Sequence, residues 1–384
     1  MTQPFQELVS FVKSLYPGLE PVPLHAPVFH GNEKEYMLDC IDTTFVSYVG
    51  KYVTEFESMT AQYTGAKHAV AFVNGTAALH IALEVAGVEP GDEVITQSLT
   101  FVATANAIAH SGAEPVFVDV DRDTLGMSPF ALSKWLETNV LVDEKSKKAK
   151  NRTTGCTISA IVPMHTFGNP CRIDEIVEIA NKFNIPVIED SAESLGSTYK
   201  HQHTGTFGLA GILSYNGNKT ITTGGGGMII TNDDALAARA RHLSTTAKIP
   251  HRWEFSHDET GYNYRLNNVS ASIGVAQMEK LDDYLLNKRE TAKAYATFCQ
   301  EQGFDFVRGL NEAKTNNWLN AIILEDRAMR DEFLAYTNDH GVMTRPIWRL
   351  MNKLEMYKDC QHDDLENSIW LEDRVVNLPS GVKE

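Results

Sequence analysis

The stretch "SYNGNKTITTGGGGMIITND", residues 214–233, contains two apolar runs of strand character joined by a loop with a single lysine, Lys219. Four consecutive glycines, 224–227, follow the lysine before the second run begins. Because these four glycines have no side chains, the loop can turn tightly and a bulky ligand can approach the amine. The stretch therefore predicts a hairpin whose loop presents a reactive amine.

Three interpretations of Lys219 are open at this point. A P-loop needs a glycine directly before its lysine, whereas Asn218 stands between Gly217 and Lys219. An exposed lysine on a flexible turn is the common alternative. The third interpretation is a lysine that bonds covalently to the aldehyde of a carbonyl cofactor.

Short β-rich runs alternate with helical patterns on both sides of this hairpin, from about residue 55 to 235. Near-continuous apolar strands alternating with helices predict an α/β fold with a mainly parallel seven-stranded sheet and helices on both faces. Ligands of such sheets bind at the carboxyl ends of the strands. The strands are predicted at 68–73, 92–96, 115–120, 158–164, 185–190, 211–216 and 227–231.

Two further segments have a distinct pattern. The lysine-rich insert at 142–155 is typical of a solvated, mobile loop. A long helix is expected from about residue 280, leading into a small C-terminal α/β unit.

Composition excludes several classes of protein. A formal net charge of -16 argues against a non-specific nucleic-acid binder and against a protein of anionic membranes. The five cysteines are scattered and form no C-x-x-C pair, which favours reduced thiols in a cytoplasm and predicts no metal site. The N-terminus lacks a signal peptide's basic start and apolar run, and no stretch has the length of a membrane span.

Polar groups follow the predicted strands at several points. Glu189 and Asp190 end a buried run, where a carboxylate can pair with a protonated pyridine nitrogen or cap the next helix. In "VNGTAALHIAL", residues 73–83, Gly75 and Thr76 begin a helix whose first N–H groups can bind an anion. An ordinary N-cap would have the same sequence.

Two more residues complete the pattern around Lys219. Ser214 ends its own strand and can be a second phosphate donor, whereas Phe101 can stack on a cofactor ring or be a core aromatic. An amine, a pyridinium partner, phosphate ligands and a stacking face are together what pyridoxal phosphate (PLP) requires.

Three motifs beside the lysine stretch carry a family resemblance: "EDSAESLGS" at 189–197, "GTFG" at 205–208 and "GYNYRLNNVSASIG" at 261–274. With them the chain resembles the DegT-type sugar aminotransferases, fold-type-I PLP enzymes that aminate keto-sugars on nucleotides. The resemblance extends from about Pro21 to the C-terminus.

Within that family the chain most resembles the branch that makes 4-amino sugars for legionaminic acid or bacillosamine. The closer resemblance is carried by residues 31–57, by "PMHTFGNPCRIDEIVEIA" and by "TTAKIPHRWEFSHDETGYNYR". It implies amination at C4 of a UDP-linked 4-keto-6-deoxy-N-acetylhexosamine, with L-glutamate as the donor. A GDP- or dTDP-linked sugar, or amination at C3, is the nearer alternative. A related dehydratase branch carries His in place of Lys219, and a non-catalytic PLP-fold regulator is the remote alternative.

The resemblance also implies roles for individual residues and an obligate homodimer with shared active sites. Glu193 departs from the Gln or His of many relatives, so it is either protonated or directed at the substrate. The implied cofactor contacts are Lys219 as the covalent lysine, Asp190 at the pyridine nitrogen, Gly75, Thr76 and Ser214 at the phosphate, Phe101 on the ring, and Asn263 reaching the phosphate of the neighbouring subunit.

Four basic residues are candidates for contacts with a carboxylate, a diphosphate or the sugar, although structural roles are equally open to them. We further expect an N-terminal substrate-side segment at 1–55, a large PLP-binding domain at 56–275, and a linking helix with a small C-terminal domain at 276–384. The four basic candidates are His165, Lys248, Arg265 and Arg345.

Overall fold

The computed structural model describes residues 2–383. The α-helices of this range are α1 (Thr2–Leu15), α2 (Glu33–Asp42), α3 (Lys51–Thr64), α4 (Gly75–Val85), α5 (Val102–His110), α6 (Pro129–Asn139), α7 (Ile173–Lys182), α8 (Asp234–Ser244), α9 (Asn268–Met278), α10 (Leu281–Gln302), α11 (Arg327–Asp339) and α12 (Glu366–Glu372). The strands are β1 (His68–Phe72), β2 (Glu93–Gln97), β3 (Glu114–Val118), β4 (Val140–Val142), β5 (Ala149–Asn151), β6 (Ile158–Val162), β7 (Ile188–Asp190), β8 (Thr198–Tyr199), β9 (Gln202–His203), β10 (Ala210–Ser214), β11 (Gly227–Thr231), β12 (Lys248–Ile249), β13 (Ser256–His257), β14 (Asp305–Phe306), β15 (Ala313–Lys314), β16 (Asn320–Ile323), β17 (Arg345–Pro346) and β18 (Val375–Leu378). Short 3-10 turns lie at Thr166–Gly168 and Met351–Lys353.

The central sheet has two parts. Strands β1, β11, β10 and β7 pair in that order, and β6, β2 and β3 form a second group. Parallel bridges from Ile161 to Val187 and from Met164 to Asp190 join the groups at β6 and β7. Strand β11 is antiparallel to both of its neighbours, whereas the other pairs are parallel. The predicted mainly parallel, seven-stranded sheet is confirmed.

Helices pack on both faces of this sheet. Neighbouring side chains on a strand point to opposite faces, and β10 shows this directly. Ile212 packs in a buried cluster with residues of α4 and α8, while the next residue, Leu213, packs in another cluster with residues of α3 and α9. Every strand residue of β2 is buried, which is the pattern of a strand covered on both sides.

The hairpin between β10 and β11 brings Lys219 to the carboxyl edge of the sheet. Because β11 runs antiparallel, its first residue, Gly227, pairs with both Phe72 and Ser214, the last residues of β1 and β10. A side chain at Gly227 would lie 2.3 Å from the Asn74 carbonyl oxygen, so the turn that follows β1 requires glycine at this position. Gly224 has a φ of 80°, which glycine adopts without strain.

The C-terminal part of the chain forms a separate antiparallel sheet in the order β14, β16, β18, β17, reached through the long helix α10. Helix α1 packs on this unit, where the rings of Phe5 and Phe333 are 5.1 Å apart. Helix α2 instead packs on α9 of the large unit. The first 55 residues therefore contact two different parts of the fold.

The insert at 142–155 is more ordered than its composition predicts. Its flanks form a hairpin of β4 and β5. Asn151 is buried, and its side chain donates to Glu93 Oε2 at 2.7 Å and Gln361 Oε1 at 2.9 Å. The solvated character predicted for this insert agrees with its exposed segments 143–148 and 152–155, whereas the flanking strands and the buried Asn151 anchor it to the fold. Within residues 2–383, no helix combines the length and the apolar character needed to cross a membrane.

Candidate active site

A cavity of about 290 Å³ surrounds Lys219 at the carboxyl edge of the sheet. Residues from four strand ends and from two distant segments form its wall. The structure brings seven of the predicted site residues together here: Gly75, Thr76, Phe101, Asp190, Glu193, Ser214 and Lys219.

Asp190, the last residue of β7, presents a carboxylate to this cavity and is 5% exposed. Its Oδ2 accepts a hydrogen bond from the Thr104 hydroxyl at 2.7 Å, and its Oδ1 accepts one from the Ala192 N–H at 3.1 Å. Each oxygen can accept more than one hydrogen bond. The carboxylate is therefore held in place and can still accept an N–H from a ligand.

The neighbouring carboxylate, Glu189, faces away from the cavity. It is fully buried and accepts three backbone N–H groups of the 205–208 loop at 2.7 to 2.8 Å. His165 Nε2 lies 3.0 Å from Glu189 Oε2, and its Nδ1 accepts the Cys171 N–H at 3.3 Å. Both ring nitrogens of a fully buried His165 are thus used within the protein. The structure contradicts a substrate contact at His165, which lies behind the site.

The start of α4 forms an anion-binding corner of the cavity. Asn74 caps the helix, accepting the Ala77 N–H at 2.8 Å. The N–H groups of Gly75 and Thr76 have no acceptor inside the helix because they belong to its first turn. A side-chain carbon at Gly75 would lie 3.3 Å from the Ser214 Cβ, so glycine lets the helix begin close to β10. The helix terminus and the serine hydroxyl together suit a phosphate.

The amine of Lys219 lies between an aromatic ring and a carboxyl group. Its Nζ is 4.0 Å from the centre of the Trp318 ring and 3.3 Å from Glu193 Oε1. Glu193 is 3% exposed, and its other oxygen accepts the Phe167 N–H at 2.8 Å. Burial raises the pKa of Glu193 to about 7, although the charge of Lys219 acts in the opposite direction. Near neutral pH this carboxyl can therefore exchange a proton with its surroundings.

Sequence reasoning missed several residues of the wall. Trp318 lines the cavity, and its Nε1 donates to the Asn218 carbonyl at 2.6 Å. Trp348 lines it as well, with its ring 6.2 Å from that of Phe101. These tryptophans lie 99 and 129 residues beyond Lys219, and no local pattern relates them to it. Thr104 could have been found, because it lies in the first turn of α5, the helix that follows Phe101.

Asn316 connects this distant segment to the site. It is fully buried, and its Nδ2 donates to the carbonyl oxygens of Glu193 at 2.8 Å and Leu195 at 2.9 Å. Its backbone lies two residues before Trp318, whose N–H donates to Asn316 Oδ1 at 2.9 Å. Asn316 thereby fixes the tryptophan against the loop that carries Glu193.

Arg265 has partners within its own chain. Its guanidinium donates to Glu57 Oε1 at 2.7 Å and to the Ala71 carbonyl at 2.9 Å, and the residue is 7% exposed. Burial lowers its pKa, while Glu57 acts in the opposite direction. The structure thus places Arg265 in a buried ion pair, outside the Lys219 cavity.

The other predicted contacts also lie outside the cavity of their own chain. Asn263 is exposed and bridges to Thr245. The amine of Lys248 lies 3.9 Å from the ring centre of Phe255. Arg345 is exposed, and its guanidinium donates to the Asn338 side chain and to the carbonyl of Thr344. Roles for these three residues stay predictions.

The cavity matches the three reactive parts of pyridoxal phosphate. The amine of Lys219 can bond to its aldehyde carbon, Asp190 can accept its ring N–H, and the start of α4 can hold its phosphate. The close approach that Gly75 permits to Ser214 is an observation of this structure that fits the phosphate in particular. Fold and site together define a fold-type-I enzyme whose cofactor is pyridoxal phosphate.

Comparisons with known proteins place the chain within this class. Its residues 28–383 match the model of the DegT/DnrJ/EryC1/StrS aminotransferase family. The GDP-perosamine synthase of Escherichia coli O157:H7 is 38% identical over 364 residues, covering 94% of this chain and 93% of the relative. That of Caulobacter vibrioides is 37% identical over 353 residues, covering 91% and 90%. The chain belongs to the DegT/DnrJ/EryC1/StrS family and is a PLP-dependent nucleotide-sugar aminotransferase.

A solved structure agrees with the fold. The aminotransferase TlmJ from Streptoalloteichus hindustanus superposes with a TM-score of 0.84 at 26% identity, covering 94% of this chain and 93% of that one. The likeness extends over nearly the whole length of both proteins. The small C-terminal unit and the central sheet are therefore both parts of the shared fold.

Proposed function

We propose that this chain transfers an amino group from L-glutamate to the C4 keto group of a GDP-linked 4-keto-6-deoxyhexose. The choice of GDP as the nucleotide rests on two relatives that are named GDP-perosamine synthase. Each of them matches this chain over more than nine-tenths of its length. A UDP-linked 4-keto-6-deoxy-N-acetylhexosamine is the second candidate. It is favoured by the resemblance of residues 31–57 and "PMHTFGNPCRIDEIVEIA" to the legionaminic acid and bacillosamine branch.

Each polar residue of the cavity has a separate role in such a transfer. The cofactor, when bound, supplies a sink for the electrons released at the donor's α-carbon. Lys219 Nζ takes the proton from that carbon and later delivers a proton to the former keto carbon of the sugar. Asp190 holds the charge that keeps a ring nitrogen protonated. Glu193, 3.3 Å from the amine, is placed to share a proton with it.

The choice of nucleotide is the first testable point. We expect the purified enzyme with glutamate to aminate a GDP-linked 4-keto-6-deoxyhexose with a kcat/KM at least about 10-fold above that for the UDP-linked acetamido sugar. A site with polar groups arranged for one substrate leaves them unpaired with the other. Mass spectrometry and NMR of the products give the rates and identify the aminated carbon.

Two controls make the comparison interpretable. The UDP-linked sugar without the acetamido group separates recognition of the base from recognition of that substituent. A dTDP-linked sugar tests the remaining family alternative. A higher kcat/KM for the UDP-linked acetamido sugar would contradict the GDP assignment and leave the aminotransferase activity intact.

We also propose a homodimer in which the two chains share their active sites. Large apolar side chains are unusually exposed on a single chain in two segments, and such patches mark interfaces. Phe45 and Val49 are 57% and 59% exposed, and Trp253 and Phe255 are 69% and 79% exposed. Asn263 is exposed and outside the cavity of its own chain, as expected for a residue that serves the neighbouring site.

Subunit exchange tests the shared site. We expect a mixture of Lys219→Ala and Asn263→Ala protomers, each inactive or weak as a pure dimer, to regain about a quarter of wild-type activity after exchange. Each hybrid dimer contains one site in which Lys219 and the partner's Asn263 are both intact. Native mass spectrometry verifies that hybrids have formed. If hybrids form without recovery, Asn263 acts in its own subunit.

The cysteines support a cytoplasmic location as part of this proposal. All five are free thiols, and Cys40, Cys171 and Cys299 are buried. Free thiols persist in a reducing compartment such as the cytoplasm.

A further inference from the structure

The lining of the Lys219 cavity is polar in one part and aromatic in another. The exposed amides of Asn216 and Asn218 belong to the polar part. The aromatic wall consists of Phe101, Trp318 and Trp348. The acceptor sugar of the proposed reaction is amphipathic in the same way, because it carries oxygen substituents on its ring and a single methyl group on C5. Small-molecule sites are commonly lined by apolar rings with a few polar groups that fix the orientation of the ligand.

Two rings of the aromatic wall already have a partner in the site. Phe101 is predicted to stack on the ring of the cofactor. The ring centre of Trp318 lies 4.0 Å from Lys219 Nζ, and its indole N–H donates to the Asn218 carbonyl at 2.6 Å. Trp318 is therefore engaged both at its face and at its polar edge. Trp348 is the member of the aromatic wall to which the mechanism above gives no role.

Trp348 is held firmly by the C-terminal unit. On one side of it the N–H of Ile347 donates to a carbonyl of β18 at 3.1 Å, and on the other the N–H of Leu350 donates to a carboxylate of α12 at 3.0 Å. The half-buried indole ring lies 5.0 Å from the ring of Phe167 and 6.2 Å from that of Phe101. A ring that is fixed in advance loses little conformational freedom when a ligand packs on it, which favours binding.

The polar edge of Trp348 differs from that of Trp318. Within residues 2–383 the indole N–H of Trp348 has no hydrogen-bond partner, and solvent reaches this nitrogen because it is not a buried polar atom. A tryptophan with a packed ring and a hydrated N–H is suited to a boundary between apolar and polar surroundings. The 6-deoxy end of a sugar is such a boundary, since its methyl group adjoins the ring oxygen and the oxygen on C4.

The reaction limits where the sugar can lie in the cavity. Its C4 carbon must meet the amine of Lys219, so the substituents on C3 and C5 reach the nearest parts of the lining. C3 carries an oxygen and C5 carries the methyl group, while Phe101 and Trp318 are engaged elsewhere. We propose that Trp348 determines specificity for 6-deoxy sugars by packing its ring against the methyl group on C5.

The inference rests on the proposed function and deepens it. Both candidate substrates are 4-keto-6-deoxy sugars, so the contact is independent of whether the nucleotide is GDP or UDP. The amino-acid donor does not present this methyl group. The two half-reactions should therefore respond differently when the ring of Trp348 is removed.

Substitutions at Trp348 separate the apolar contact from other roles. We expect Trp348→Ala to raise the KM for the keto-sugar about 10-fold or more, the scale on which a pocket recognises one methyl-sized group. Trp348→Phe keeps a ring and most of the apolar surface, so its KM should stay within about threefold of wild type. The glutamate half-reaction should stay within about twofold, since loss of uniform binding for one substrate leaves the other unaffected. Phe130→Ala is the matched control, because Phe130 is 77% exposed and does not line this cavity.

A binding measurement tests the same contact without turnover. The probes are GDP-6-deoxymannose with GDP-mannose, and UDP-linked 2-acetamido-2,6-dideoxyglucose with UDP-N-acetylglucosamine. The members of each pair differ by one hydroxyl group, and none of the four is a ketone. By calorimetry the wild-type holoenzyme should bind the 6-deoxy member of at least one pair about 10-fold or more tightly. Trp348→Ala should bring that ratio within about threefold of unity, whereas Trp348→Phe should keep it.

The wild-type protein alone provides a further readout. In saturation-transfer NMR with the 6-deoxy probes, the 6-methyl protons should be the most strongly saturated protons of the bound sugar, because they lie against the indole ring. This signal and the wild-type binding ratio decide the question if Trp348→Ala does not fold. A 6-methyl signal weaker than those of the sugar ring protons overturns the proposal.

The outcomes are distinct from those of the proposed function. An unchanged KM in Trp348→Ala, or equal wild-type affinity within both probe pairs, overturns the proposal even if sugars are aminated. If Trp348→Phe is as weak as Trp348→Ala, the contact is the indole N–H and not the apolar ring, which overturns it too. If the wild type prefers the 6-deoxy probes but aminates no sugar, the proposed function fails and the contact stands. If no probe binds, both fail.

Discussion

Lys219→Ala is expected to lower turnover by about 10³-fold or more, because proton transfer by a positioned side chain contributes on that scale. The amine of Lys219 borders the cavity beside the Asp190 carboxylate, 3.3 Å from Glu193 and 4.0 Å from the Trp318 ring. The phosphate corner at Gly75 and Thr76 is untouched by the substitution, so the cofactor should still bind without a covalent bond. Single-turnover measurements with glutamate give the rate, and absorbance gives cofactor occupancy.

A chemical label can identify the lysine that bonds covalently to the cofactor, and it does so independently of activity. Reduction of the wild-type enzyme with borohydride, followed by peptide mass mapping, should place the pyridoxyl group on Lys219. Lys358→Ala is a suitable control, since Lys358 is half exposed and pairs with Glu355 on the surface. A label on any other lysine, or a Lys219→Ala enzyme with more than a tenth of wild-type turnover, would contradict the assignment.

The site residues that the sequence could predict share one property: they lie at the end of a strand or shortly after it. Asp190 ends β7, Ser214 ends β10, and Gly75 follows β1. Parallel strands bring such positions to one edge whatever the details of packing, so a correct strand pattern is enough to group them. Lys219 joined them because β11 is antiparallel and returns the hairpin to the same edge.

What sequence could not predict depends on the direction of a side chain or on distant segments. Glu189 and Asp190 are adjacent and chemically alike, yet they point to opposite sides of the strand. His165 follows another strand end but turns toward Glu189, away from the cavity. Trp318 and Asn316 reach the site through an irregular segment of the C-terminal unit, whose path has no periodic signal.

The ambiguity over Glu193 is reduced by its surroundings. A carboxyl that is 3% exposed and accepts an N–H from Phe167 is held firmly beside Lys219. Its pKa of about 7 means that protonation, which avoids repulsion of an anionic cofactor oxygen, is accessible at physiological pH. The structure therefore accommodates a carboxyl beside the reactive amine, and it does so by burial.

Asp190→Asn is expected to lower the rates of both half-reactions by about 10² to 10³-fold, the scale seen when one electrostatic contact to a reacting group is removed. The amide keeps the size of the side chain and can still bond to Thr104, so the fold should survive. It carries no charge, and a ring nitrogen facing it loses the anion that keeps it protonated. Stopped-flow absorbance with glutamate, and then with the keto-sugar, measures each half-reaction.

Thr104→Val is the matched control for this substitution. It removes the hydroxyl that donates to Asp190 Oδ2 at 2.7 Å, but it leaves both the charge and the Ala192 N–H at Oδ1. Since the anion persists, we expect a loss of only about 10-fold or less, in line with the removal of one hydrogen bond. The order of the two effects is the decisive result. Near-wild-type rates for Asp190→Asn, or equal losses in both variants, would mean that Asp190 acts through its shape and not through its charge.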